Sequence, residues 1–282
     1  MKRACAVLFL VIATGWAPAA SDLALPNRAT SLKFAAIGDN GTGERPEYDV
    51  ARQMEAYHAR FPFELVIMLG DNLYGRQDQR DFIDKFEEPY RLLLNAGVQF
   101  YAALGNHDSP SQRAYPPFHM GGERYYTYSK GNVRFFALDS NLLDAKQLAW
   151  IESALRRSQD DWKICYFHHP LYSDGKTHGS QVDLRVVLEP LFTEFGVNVV
   201  FSGHDHVYER IKPQKGITYF VSGAGGQLRK GDVRRSELTA AQFDEDRSFM
   251  LIEVSDDDLF FQAISRTGMT IDSGVVHRYT KW

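Results

Sequence analysis

Short apolar runs recur along the chain, and each gives way either to a helical period or to a glycine-bearing turn. Leu65 to Leu69 is an apolar run of strand length, and Leu32 to Ile37 is another, interrupted only by Lys33. Helical spacing follows each of them, over about 46–60 and 79–94, the second interrupted near Pro89. Phe100 to Leu104 closes this first half. Tyr125 to Ser129 and Val133 to Leu138, around Lys130-Gly131-Asn132, predict a hairpin. A helix from Ala145 to Arg157, a strand from Lys163 to Phe167 and a helix from Asp183 to Phe195 come next. Val197 to Phe201 and Ile217 to Ser222 read as strands, and the last three runs, Phe249 to Val254, Leu259 to Arg266 and Met269 to Val276, alternate like a meander. With no internal repeat or long linker, the pattern predicts one α/β unit with β-rich additions.

The polar residues fall at the ends of these runs. The turns are Gly38-Asp39, Gly70-Asp71-Asn72-Leu73-Tyr74, Gly105-Asn106-His107-Asp108, His168-His169-Pro170 and Gly203-His204-Asp205-His206. In open α/β sheets ligands sit outside the carboxyl ends of strands, where glycine permits a tight turn and close backbone approach. Of nine histidines, six (His107, His168, His169, His178, His204, His206) lie in or just after these turns. One such turn is ordinary turn chemistry, but five that carry metal-capable side chains predict a metal site. His58 and His119 lie outside the turns and read as structural, as does His169.

Composition narrows the setting. A formal charge of −4 and the absence of any run of five or more basic residues argue against a protein built to neutralise a nucleic-acid duplex. Lys2 and Arg3 precede an apolar run, Ala4 to Ala13, and Ala17-Pro18-Ala19 supplies small residues for cleavage. The run is about half of what spans a bilayer, so residues 1–20 read as a signal peptide and the destination as periplasmic or secreted. Cys5 leaves with it, and Cys165 remains as a buried strand residue without a disulfide partner.

These motifs resemble the calcineurin-like metallophosphoesterases, and within them the purple acid phosphatases, particularly the short tartrate-resistant type. The resemblance runs from about Leu32 to His277. Most of that superfamily has a histidine two residues after the first aspartate, whereas here Asp39 is followed at that position by Gly41. Tyr74, three residues after Asp71, takes its place, as in the purple branch. The resemblance implies a four-layer αββα sandwich of two mixed sheets flanked by helices, with a dimetal site at the strand C-terminal ends. It divides the chain into a signal (1–20), an N-terminal extension (21–31) and a single catalytic domain (32–282).

Carried over position by position, the family's ligand set assigns Asp39, Tyr74 and His206 to one ion, with Asp71 bridging. Asn106, His168 and His204 join Asp71 on the other. A phenol with a reference pKa near 10 binds well only as phenolate, so the Tyr74 site calls for a hard trivalent ion, Fe(III). The second site suits Fe(II), Zn(II) or Mn(II). Fe(III), a divalent ion and a bridging hydroxide leave the pocket at about +1, suited to phosphate, and two ions roughly 3.5–4 Å apart activate water for in-line attack. The expected reaction is hydrolysis of phosphate monoesters by a metal-bound hydroxide, on small esters that include nucleotides or phosphoproteins.

The family gives His107 and His178 roles in substrate contact and proton donation, with Asn106 also touching substrate and Asp108 placed to raise the pKa of His107. Two departures matter. The chain has only Ser140 to Asp144 where the animal tartrate-resistant enzymes carry a long covering loop, so activity without proteolysis is expected. It also lacks the large N-terminal domain of the plant enzymes, and a monomer is expected. The polar stretch 227–247 holds Arg229, Lys230, Arg234 and Arg235 and reads either as a substrate-contacting rim or as a solvated loop. Two other readings stand beside the leading one: a phosphodiesterase or nucleotidase with two divalent ions, and a non-catalytic scaffold.

Overall fold

The computed structural model describes residues 22–278, so the expected signal segment lies outside the described residues. In chain order the first half contains β1 (Leu32–Ile37), α1 (Arg45–His58), β2 (Leu65–Met68), α2 (Gln79–Phe82), α3 (Arg91–Asn95) and β3 (Gln99–Ala102). The middle contains β4 (Tyr126–Lys130), β5 (Val133–Ala137), α4 (Ala145–Arg157), β6 (Trp162–Tyr166), α5 (Val182–Glu194) and β7 (Val199–Ser202). Strands β8 (Tyr208–Gln214), β9 (Ile217–Ser222), β10 (Thr239–Phe243), β11 (Ser248–Ser255), β12 (Asp258–Ser265) and β13 (Thr270–His277) complete the order.

The strands form two mixed sheets, one ordered β13-β12-β11-β1-β2-β3 and the other β10-β8-β9-β7-β6-β5-β4. Each has a parallel centre, β1-β2-β3 in the first and β5-β6-β7-β9 in the second, extended by antiparallel strands. The period-2 alternation of side chains explains the layering. Phe34 and Ala36 of β1 face the layer between the sheets, while Ala35 and Ile37 face α1. In β6, Ile164 and Tyr166 point to that central layer and Cys165 to the outer one. Both faces of the central strands are therefore covered, which is why they read as apolar runs broken only near their starts, as by Lys33, Arg134 and Lys163.

Val50, Met54 and Tyr57 of α1 close the first outer layer. Ile151 and Leu155 of α4, with Leu188 and Phe192 of α5, close the second. Phe34 packs edge-on to Phe135 and Phe201, at centroid distances of 5.3 and 6.1 Å, and so joins the two sheets. Truncating it to alanine would cost about 3–5 kcal/mol. The chain before β1 lies on the first sheet, where Gln262 accepts from the Ala24 amide and Glu253 from those of Asn27 and Arg28.

Two departures from the predicted elements have physical reasons. The helix expected over 79–94 breaks into α2, a wide turn over Ile83–Glu87 and α3. The Glu88 amide reaches back to Ile83, and Pro89 has no amide with which to continue the ladder. Strands β8 and β10 were not predicted. β10 is the half-buried edge of its sheet and β8, its neighbour, carries Pro213, so neither shows a clean alternation.

Candidate metal centre

The C-terminal ends of β1, β2 and β3 in one sheet and of β6 and β7 in the other carry the five turns, and the turns meet across the cleft between the sheets. Asp39, Asp71 and His204 all take left-handed backbone conformations, with φ of 55°, 50° and 70°. Residues other than glycine rarely do so, and the strain of about 1–3 kcal/mol each is what surrounding structure must offset. Hydrogen bonds lock these turns: the Asp39 amide donates to the Gly70 carbonyl at 3.0 Å, and the His204 amide to Asp39 Oδ2 at 2.8 Å. Glycine is required where the turns touch. A β-carbon on Gly105 would lie 2.2 Å from Asp71 Oδ1, and one on Gly203 would lie 2.4 Å from Asp39 Oδ2.

Two groups of donor atoms result. In the first, Tyr74 Oη lies 3.1 Å from Asp39 Oδ1 and 3.2 Å from His206 Nε2, and His206 Nε2 lies 3.3 Å from Asp39 Oδ1. In the second, His168 Nε2 is 2.9 Å from Asn106 Oδ1, 3.0 Å from His204 Nδ1 and 3.5 Å from Asp71 Oδ2. Asp71 stands between the groups, since it also falls within one cluster with Asp39 and His168. Its other oxygen accepts the His107 amide at 2.9 Å.

This arrangement suits cations. Donors about 2 Å from one ion and at right angles to each other lie roughly 3 Å apart, the spacing found in both groups. Burial, with Asp71 beside it, holds the Asp39 carboxyl well above the usual range. Burial and the same two carboxylates push the Tyr74 phenol far above its ordinary value. Buried anions this close need a compensating charge. The imidazoles are held neutral with lone pairs available: burial and His168 push His204 down to about 2, and burial and Arg229 push His206 down to about 4. His168 lies 3.0 Å from the Leu69 carbonyl through Nδ1, an arrangement that puts the proton there and turns Nε2 to the cluster.

The two expected proton donors flank the groups. The His107 ring lies 5.0 Å from Tyr74, and the His178 ring 4.1 Å from His204; both are exposed. Asp108 is not beside the His107 ring as expected. It is turned inward, where its carboxylate accepts from the amides of Gly105, Asn72 and Leu73 and from the side chains of Asn72 and Gln112. It fastens the Asn72 turn to the Asn106 turn. His169, read as structural, lies at the centre's edge, its ring 4.4 Å from that of His204 and its Nδ1 2.9 Å from Ser140 Oγ. A cavity of about 640 Å³ opens beside it and Asn106, under the short 140–144 connection. His58 packs on Phe63, and His119 Nδ1 meets the Phe100 carbonyl, both away from the turns.

Carboxylates, imidazoles and one phenol converging at five strand ends of a two-sheet α/β body define a metal-dependent phosphoesterase. Residues 32–208 match the family model of the calcineurin-like phosphoesterases, and the chain belongs to that family. Its similarity extends to the purple branch: it is 28% identical to human tartrate-resistant acid phosphatase type 5 over 74% of this chain and 76% of that protein. It is 27% identical to purple acid phosphatase 17 of Arabidopsis thaliana, over 72% and 71% respectively. Among solved structures, a purple acid phosphatase from yellow lupin seeds superposes with a TM-score of 0.73 at 18% identity, covering 90% of this chain and 55% of that one. The anchor in the inner membrane complex of Plasmodium superposes at 0.76 and 18% identity, over 89% and 90%. An anchor and a phosphatase share the fold, so the argument for activity rests on the site. No helix among the described residues is long and apolar enough to cross a membrane.

Proposed function

We propose that this chain is an exported acid phosphatase that hydrolyses phosphate monoesters at a dinuclear centre. Residues 1–20 act as its signal, 21–31 as an extension and 32–282 as one catalytic domain that works as a monomer. Asp39, Tyr74 and His206 hold one ion, Asn106, His168 and His204 the other, and Asp71 is shared. The observation that carries this reading is Tyr74 Oη within 3.2 Å of both Asp39 and His206. A phenol beside two buried carboxylates ionises only for a strongly charged hard ion, which favours Fe(III) there and Fe(II), Zn(II) or Mn(II) opposite.

When bound, the two ions supply an activated water and neutralise the phosphoryl charge. The chain's own residues bind and orient the ester and manage its proton. Asn106 and His178 contact the phosphoryl oxygens, and His107, on the exposed side of Tyr74, donates a proton to the departing oxygen. The left-handed turns at Asp39, Asp71 and His204 keep the donors fixed before substrate arrives.

Metal analysis and a visible spectrum of the purified mature protein test this reading, with hydrolysis of p-nitrophenyl phosphate and its bis ester at pH 5. The expected result is one iron and one further metal, a broad tyrosinate-to-iron band and preference for the monoester. Two zinc or manganese ions, no colour and preference for the diester would replace it with a phosphodiesterase. Metals without turnover would leave a scaffold.

A further inference from the structure

The polar stretch after Ala224 is not a free loop. The amides of Gly226 and Gln227 donate to the Asp39 carbonyl at 3.1 and 3.0 Å, and the Arg229 amide donates to the His206 carbonyl at 3.0 Å. A few residues on, the Asp232 carbonyl accepts the Lys176 amide at 2.7 Å, and Asp232 Oδ1 accepts the Thr177 hydroxyl at 2.6 Å. The segment is thus held between the turns of Asp39 and His206 on one side and the loop of His178 on the other.

Its basic residues are not equivalent. Lys230 pairs with Glu245 at 2.6 Å, and Arg234 Nη2 donates to the Lys176 carbonyl at 3.3 Å. Arg229 is different: its Nη1 is buried and has no hydrogen-bond partner among the described residues. A buried guanidinium N–H without an acceptor is costly, and the acceptor that relieves the cost best is an anion presenting oxygens in a plane.

We propose that Arg229 is a phosphate-binding residue, its guanidinium donating to a non-bridging oxygen of the phosphoryl group between the His206 turn and the His178 loop. The inference rests on the monoesterase reading and sharpens it. Above its second pKa, about 6, a monoester presents a doubly charged group and a diester a singly charged one, so a fixed cation at this position favours the ionised monoester.

The test compares wild type with Arg229→Gln and Arg229→Lys, with metal content and melting temperature measured on each. Inorganic phosphate is titrated calorimetrically, and KM and kcat are measured for p-nitrophenyl phosphate and its bis ester. For Arg229→Gln the Kd for phosphate and the KM for the monoester should both rise about 10- to 100-fold, the worth of a hydrogen bond to a charged group. The turnover number and the diester KM should move much less, and Arg229→Lys, which keeps the charge but loses the fork, should recover part of the loss. A phosphate Kd within twofold of wild type in Arg229→Gln, at normal metal content, would overturn the proposal. A wild type that binds phosphate but hydrolyses no monoester would sink the phosphatase reading, and the calorimetric comparison would still decide Arg229.

Discussion

Arg229 and Arg124 stand at two margins of the same centre and differ in what meets their guanidinium groups. Arg124, which lines the cavity by Asn106 and His169, donates to Asp139 Oδ2 at 2.7 Å and to Asp144 Oδ2 at 3.1 Å. It has its anions already. Asp139 in turn accepts from the Asn141 amide at 2.9 Å, and Asn141 Nδ2 donates to the carbonyls of Leu104 and Gly105 at 3.1 and 3.2 Å. Arg124 therefore braces the short connection that holds the Asn106 strand end, while Arg229, whose amide is bonded to the His206 carbonyl, keeps a guanidinium donor unpaired. An arginine near a phosphate site recognises ligand only where the fold has not already neutralised it.

The largest expected effect lies in the centre that both margins serve. If the margins bind and brace while the centre does the chemistry, His107→Ala should lower kcat by about 10²–10⁴ and leave both metals in place. The measurement is steady-state kinetics with metal analysis of the same sample. A variant that keeps its kcat and loses only KM would move His107 to the binding margin and blur the contrast.

Arg124→Ala comes next, and its signature is the reverse of that expected for Arg229. The Asp139 side chain is 5% exposed, so removing its partner leaves a buried carboxylate unpaired. The cost for a fully buried pair is about 3–5 kcal/mol, and because Arg124 is 21% exposed about 2 kcal/mol is expected here. Urea unfolding should record that loss while the KM for the monoester stays near wild type. A raised KM at unchanged stability would show that Arg124 binds substrate, and the comparison would fail.

The difference between the margins also marks where the sequence could be read. The donor positions Asp39, Asp71, Asn106, His168 and His204 each end an apolar run, so period and glycine placement alone point to one place. Helix α4 was legible to the residue because Asp144 caps it and its apolar spacing is clean. Arg229 was visible only as one of four basic residues, because its open donor depends on the chain folding back onto the His206 carbonyl. Asp108 was misread for the same reason: adjacency suggested His107, but the turn rotates its carboxylate toward the amides of Asn72 and Leu73. Local sequence fixes which residues end a strand, whereas tertiary contacts decide which polar atoms are left unsatisfied.

The smallest effect concerns the floor of the Arg229 margin, where Glu209 lies under the His178 loop. Ser173 Oγ sits 2.5 Å from Asp205 Oδ2 and 2.7 Å from Glu209 Oε2, and it also accepts the Gly175 amide. One hydroxyl has one proton, so it satisfies both carboxyls only if one of them is itself protonated. Glu209 is that group: burial pushes it up to about 7, against bonds from Ser173 and the Asp174 amide that lower it. Neutral Glu209 then donates to Ser173, which donates to Asp205. Because the folded value lies above the unfolded one near 4.5, the folded state holds the extra proton between about pH 4.5 and 7. Stability from this group is complete at the acid end of that window and is lost as pH rises through 7. Taken in full the shift would be worth roughly 3 kcal/mol, and with relaxation around the ionised carboxyl a loss on the order of 1 kcal/mol between pH 5 and 8 is expected. Glu209→Gln keeps a donor to Ser173 at every pH, so its thermal stability should lack this part of the slope, while Arg124→Ala should keep it. Equal slopes in wild type and Glu209→Gln would mean that the Ser173 proton is shared differently, and that the floor of the Arg229 margin carries no titrating group.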